Sequence, residues 1–123
     1  MINIYYCNWD STDYRVRDEL IPALLGCDFK FKQRNYRLVE ECKLKYKEPN
    51  SNEIEILIAD LDSDKEDSVL NFFIEILNTI WEDYNINHQH KFRSMCVGDV
   101  IEFSSDEYCI RFIVDCSGFR LMK

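Results

Sequence analysis

Glycine and proline are scarce, three and two in 123 residues, so the chain has no composition for long flexible linkers. No stretch approaches the ~20 consecutive apolar residues of a membrane span. Residues 1–10 show no basic region leading into an apolar run, so no export signal is expected and the reading is a soluble protein of the cytoplasm. Gly-rich loops that cradle phosphate are missing, as is the strand–turn–helix setting of a nucleophilic serine. The only histidines, His88 and His90, sit two apart with no third metal ligand at a suitable spacing. None of the six cysteines, Cys7, Cys27, Cys42, Cys96, Cys109 and Cys116, falls in a C-x-x-C pair, and the closest two are seven residues apart. Free buried thiols are expected, with no metal and no cofactor. Cys96 or Ser94 would act as a nucleophile only if His88 or His90 folded back as its base with Asp99 orienting it. Nothing in the spacing compels that arrangement, so no catalytic residue is assigned and no enzymatic activity is expected.

What is present is a core. Hydrophobic residues at 46% against 31% charged are the balance of a folded protein, and 123 residues suit one globular domain over 1–123. The formal charge of −8 is uneven. Residues 30–47 carry Lys30, Lys32, Arg34, Arg37, Lys43, Lys45 and Lys47 against two acids, a local +5 that leaves −13 for the rest. An acidic surface of that density repels a phosphate backbone and favours basic partners.

The segment Ser63–Tyr84 carries the clearest pattern. Ser63 and Glu66 form a capping box, and Val69, Leu70, Phe73, Ile76, Leu77, Ile80, Trp81 and Tyr84 recur at helical spacing, with Phe72 and Ile74 at the stripe's edges. Before it, Ile2–Cys7 reads as a strand, Tyr14–Leu25 as a short helix made irregular by Pro22 and ended by Gly26, and Tyr36–Tyr46 as a second strand. The nearly continuous apolar run Ile54–Leu61 reads as a strand central to the sheet. Asp60, Asp62, Asp64, Glu66 and Asp67 invite a calcium loop, but its sixth and twelfth positions hold Lys65 and Asn71 where Gly and Glu are needed. Acids at a helix N-terminus are explained by the helix dipole. After the helix, Val97–Phe103 and Tyr108–Asp115 form a hairpin with a four-residue loop, and Phe119–Met122 adds a short strand. The expected fold is α+β: five or six mostly antiparallel strands, one long helix packed on a face and a short N-terminal helix.

Four blocks then carry a resemblance: Asn35-Tyr36-Arg37-Leu38-Val39-Glu40; Ile80 to Asn87; Phe92-Arg93-Ser94-Met95-Cys96-Val97-Gly98-Asp99-Val100-Ile101; and Asp115-Cys116-Ser117-Gly118-Phe119. In order and approximate spacing, over about 35–46 and 80–120, they resemble the YodL-like domain family of plasmids, conjugative elements and phages. Gln89 stands where that family has proline and Cys96 where it has serine, and the region 50–73 is longer. The resemblance implies an accessory gene product of a mobile element, often near genes that deal with host defence, and it implies no activity. Arg93, Ser94, Gly98, Asp99, Gly118 and Phe119 match the shared blocks, and each has a structural reading. Gly98 and Gly118 suit positive φ, Phe119 suits a core, and Arg93 suits an ion pair with Asp99 or Asp115.

The expected function is inhibition of a host defence complex, of the anti-CRISPR or anti-restriction kind, by protein–protein contact. Asp60, Asp62, Asp64, Glu66, Asp67, Glu75, Glu82 and Asp83 would occupy a basic groove meant for nucleic acid, with Phe72, Trp9 or Trp81 as apolar anchors. The alternative is a nucleic-acid-binding module using Lys30, Lys32, Arg34 and Arg37, with Phe29, Phe31, Tyr36 and Tyr46 as stacking surfaces. The competing account pairs those bases with the chain's own carboxylates. The wide apolar arc of the long helix is also compatible with a homodimer.

Overall fold

The computed structural model describes residues 2–8, 14–24, 31–42, 66–85, 93–104, 109–116 and 118–122. In chain order these form β1 (Ile2–Cys7), α1 (Tyr14–Leu24), a 3₁₀ turn (Gln33–Asn35), β2 (Tyr36–Cys42), α2 (Glu66–Asn85), β3 (Val100–Ser104), β4 (Cys109–Asp115) and β5 (Gly118–Leu121). The five strands make one antiparallel sheet in the order β2-β1-β3-β4-β5. The fold is α+β. The expected strand Ile54–Leu61 and the Ser63 cap lie outside the described residues, and the middle strand of the described sheet is β3. α1 continues helically past Pro22 to Leu24, where an irregular end was expected. Proline there removes the amide that would bond to Asp18 O and crowds that carbonyl, yet the helical backbone runs on for two residues before it ends.

Alternation along the strands sorts side chains onto two faces. Ile2, Ile4 and Tyr6 of β1, Ile101 and Phe103 of β3, and Ile110, Phe112 and Val114 of β4 pack with Val69, Phe73, Leu77, Ile80 and Tyr84 of α2. The helix positions recur every three or four residues, which is the spacing that keeps one stripe on the sheet. Full burial contributes about 1.5–3 kcal/mol for each large apolar side chain. At the centre, the Phe73 ring lies 4.6 Å from Phe103 and 5.3 Å from Phe112.

The opposite face carries Tyr5, Cys7, Val100 and Ile113, packed with Leu20 of α1 and with Tyr36. Glu102 is buried there and is matched: it accepts from Asn3 Nδ2 at 2.9 Å and from Arg111 Nε at 2.8 Å. Arg111 in turn lies over the Phe31 ring, 4.5 Å from its centroid. Between β1 and β2 the register shifts after Ile4, so that Ile4 faces Glu40 but Tyr5 faces Leu38. That bulge places Tyr36 opposite Cys7, on the same face, and this pairing builds one wall of the site described next.

Candidate functional site

The site forms where β1 ends and the chain turns into β3. Cys96-Val97-Gly98-Asp99 is a tight turn closed by the Asp99 amide donating to the Cys96 carbonyl at 3.1 Å, with Gly98 at φ +97°. The third position of such a turn needs positive φ, which a glycine adopts without steric cost. The turn is anchored on both sides. Gly98 N donates to Val114 O at 2.9 Å, Val114 N donates to Asp99 O at 2.8 Å, and the buried Tyr36 hydroxyl donates to Gly98 O at 2.8 Å. Burial, first, and then the nearby Cys7 and Asp99 hold the Tyr36 phenol above its ordinary range, so it stays a donor.

Asp99 is completely buried, and five donors converge on its carboxylate. Oδ1 accepts from the Cys7 amide at 2.9 Å, from the Cys7 thiol at 3.2 Å and from Arg93 Nη2 at 2.8 Å. Oδ2 accepts from the Cys96 amide at 2.8 Å and from Arg93 Nη1 at 2.7 Å. The Arg93 contact is a two-pronged pair, the strong geometry for guanidinium and carboxylate. Arg93 also donates to the carbonyls of Cys7, at 3.1 Å, and Ser94, at 3.0 Å, and its Cζ stands 4.3 Å over the centre of the Tyr6 ring. Its guanidinium is held protonated, chiefly by the hydrogen bond to Asp99 and against the opposing effect of burial.

One carboxylate therefore grips the amides of two cysteines far apart in the chain and sets their thiols side by side. The sulfurs of Cys7 and Cys96 and an Asp99 oxygen lie within 4.8 Å of one another. Cys7 is buried and Cys96 half-buried. Their acidities diverge. The hydrogen bond to Cys96, then burial, then the Asp99 charge push the Cys7 thiol up, while the hydrogen bond from Cys7 is the main cause that brings the Cys96 thiol down. The trio does not make a cation site. Both Asp99 oxygens are already engaged, and Arg93 Nη2 comes within 3.8 Å of the Cys7 sulfur, where a metal ion would meet a fixed positive charge.

Of the residues singled out in the sequence, Arg93, Gly98 and Asp99 are brought together here, and Arg93 pairs with Asp99, one of the two partners expected. Ser94 is exposed and contributes its carbonyl. Gly118, at φ +141°, and Phe119 lie instead at the β4–β5 turn, with the Phe119 ring edge-on to Trp81 at 6.4 Å. They border a groove of about 310 Å³ with Asn78, Val97 and Val114.

The other assignments scatter. Phe72, Glu75 and Glu82 are exposed on α2, and Asp83 is half-buried. Asp60, Asp62, Asp64, Lys30, His88 and His90 lie outside the described residues, and Glu66 and Asp67 are described only as the helical backbone that opens α2. Lys32 and Arg34 both meet Glu19 of α1, the lysine at 3.5 Å, and Arg37 is exposed on β2. Phe31 and Tyr36, offered as stacking surfaces, pack inward instead: their rings lie 4.9 Å apart, with Phe31 5.2 Å from Tyr5. Cys7 belongs to the site although no motif marked it. The one available signal was its place at the end of the first strand, and only strand pairing brings it to Cys96. Comparison with protein families, with curated proteins and with solved structures found no match to this chain.

Proposed function

We propose that the chain is a non-enzymatic accessory protein of a phage or mobile element that inhibits a host defence protein complex by contact, in the host cytoplasm. The observation that carries this reading is the solvent side of α2. Asn71, Phe72, Glu75, Asn78, Thr79 and Glu82 are exposed along it, and the 20 residues of the helix include no lysine or arginine. Such a surface complements a basic groove on a nucleic-acid-handling protein, and Phe72, 40% exposed, supplies an apolar anchor beside the acids. The YodL-like motif residues support the mobile-element context. The placement of Arg93, Gly98 and Asp99 in a turn and an ion pair is what a structural role for those positions would require.

The nucleic-acid alternative is less favoured. Lys32 and Arg34 are engaged by Glu19, and of the aromatic rings proposed for stacking on bases, Tyr36 is buried and Phe31 is packed against it. The test is phage plating on hosts with an active restriction or CRISPR system, with and without the protein expressed, alongside affinity capture at low salt. Raised plating by the wild-type chain, lost in a Glu75→Lys/Glu82→Lys variant that keeps its fold, is the expected result. Unchanged plating on every defended host, with only self-association on capture, removes the proposal.

A further inference from the structure

We propose that Cys7 and Cys96 are a redox-active dithiol that closes to a disulfide by exchange with low-molecular-weight disulfides of the glutathione type. Three independent features converge on it. Asp99 binds the two cysteine amides at 2.9 and 2.8 Å, so the backbones that carry the sulfurs are fixed relative to each other. The sulfurs lie within 4.8 Å, near enough for side-chain rotation to bring them to the ~2.05 Å of a disulfide bond. Exposure is graded: Cys96 is half-buried and reachable, while Cys7 is 1% exposed behind it.

That grading assigns the roles. Cys96 is the attacking sulfur: the Cys7 thiol hydrogen-bonds to it and the Arg93 guanidinium favours its thiolate. It attacks one sulfur of the small disulfide, forming a mixed disulfide and expelling the first small thiol as thiolate. Cys7 is the resolving sulfur. Its single proton has three acceptors in reach, the Cys96 sulfur, Asp99 Oδ1 at 3.2 Å and the Val97 carbonyl at 4.0 Å. Once Cys96 is covalently capped, the Cys7 proton passes to the departing thiolate, leaving Cys7 as the nucleophile. Cys7 then attacks the Cys96 sulfur, the mixed disulfide breaks, and the second small thiol leaves as thiolate and takes from water the proton that Cys96 released to water on ionising. The balance is two protein thiols and one small disulfide giving one protein disulfide and two small thiols. The product would tie the end of β1 to the turn before β3.

Cys109 and Cys116 serve as internal comparators. Both are exposed, and both thiols are pushed up, by burial and Glu102 at Cys109 and by Asp115 at Cys116. The experiment equilibrates the full chain with oxidised and reduced glutathione, quenches with an alkylating reagent and maps cysteine linkages by peptide mass. The expected result is a Cys7–Cys96 linked peptide in the wild-type chain, with Cys96 modified several-fold faster than Cys109 or Cys116. In Cys7→Ala the reaction stops at a glutathione adduct on Cys96, and in Cys96→Ser Cys7 takes no glutathione. Complete alkylation of both Cys7 and Cys96 after oxidation overturns the proposal, as does glutathione on Cys109 or Cys116 ahead of Cys96. The wild-type mapping decides the matter even if a variant fails to fold.

Discussion

Asp99 is the buried end of its pair with Arg93: none of its side chain is exposed, while 32% of the arginine's is. The two are six residues apart, yet their contact closes more than a local loop, because the same carboxylate holds the end of β1. Cutting the pair from either side leaves polar groups in a dry place. Asp99→Ala orphans the amides of Cys7 and Cys96, and Arg93→Met strips a buried carboxylate of its counter-charge. Each is expected to cost about 3–5 kcal/mol in denaturant unfolding. The double variant should cost less than the two losses added, since both break one interaction.

Gly98→Ala forces a Cβ onto backbone at φ +97°, and the turn cannot relax freely because Tyr36 and Val114 hold Gly98 on both sides. A loss of about 1–3 kcal/mol is expected by the same measurement. Tyr36→Phe, which removes only the hydroxyl donor to Gly98 O, should cost about 1–3 kcal/mol by leaving that carbonyl unsatisfied.

Glu19 supplies a pH-dependent contact. Hydrogen bonds from Asn35 and Arg34 hold its carboxyl down from the ordinary 4.5 to about 2. A carboxyl depressed in the folded state contributes stability that is present in full above its unfolded value and lost as pH falls toward the folded one. The contact between α1 and the Gln33–Asn35 turn should therefore loosen between about pH 4.5 and 2. Amide exchange at Asn35, taken relative to its intrinsic rate at each pH, is expected to rise over that interval in the wild type. In Glu19→Gln it should already be raised at neutral pH.

The rate of Cys96 alkylation against pH reports its own titration. In the wild type the midpoint is expected below the ordinary thiol value of 9.0. Cys7→Ala removes the hydrogen bond that contributes most to the lowering, so the midpoint should move upward. A midpoint that stays in place would mean that Arg93 alone holds the thiolate.

Charge reversal on α2 separates surface from fold. Glu75→Lys and Glu82→Lys lie on the solvent side, so stability should change by no more than about 0.5 kcal/mol while binding to a basic partner is lost.

Period told the elements apart well. The α2 stripe from Val69 to Tyr84 and the short apolar runs of β1, β3 and β4 were legible because each is buried in the core. Periodicity does not say which face is inside when polar and aromatic residues alternate. Tyr36 and Phe31, flanked by Lys32, Arg34 and Arg37, read as readily as a stacking platform as they do as interior packing, and the bulge after Ile4 that turns Tyr36 inward leaves no local mark. Arg93 and Asp99 stood out through the blocks that resemble the YodL-like family, and their opposite charges made an ion pair the structural reading, with Asp115 as the other partner weighed. Cys7 did not stand out, because its distance from Cys96 is bridged only by the pairing of β1 with β3, a relationship between segments that no single stretch encodes.

β1 lies between β2 and β3, pairing Ile2 with Cys42 on one side and with Phe103 on the other. A ribosome adding about 5–20 residues per second delivers the first of those neighbours early and the second only after some sixty more residues have been made. For seconds, one row of β1 backbone donors and acceptors is paired only with water, and Ile2, Ile4 and Tyr6 wait for most of the wall they will finally face. Nascent chains of this protein should therefore depend on chaperones until residue 104 has emerged, and refolding from denaturant should be slow for the chain's size, since its earliest strand cannot be completed by any nearby contact.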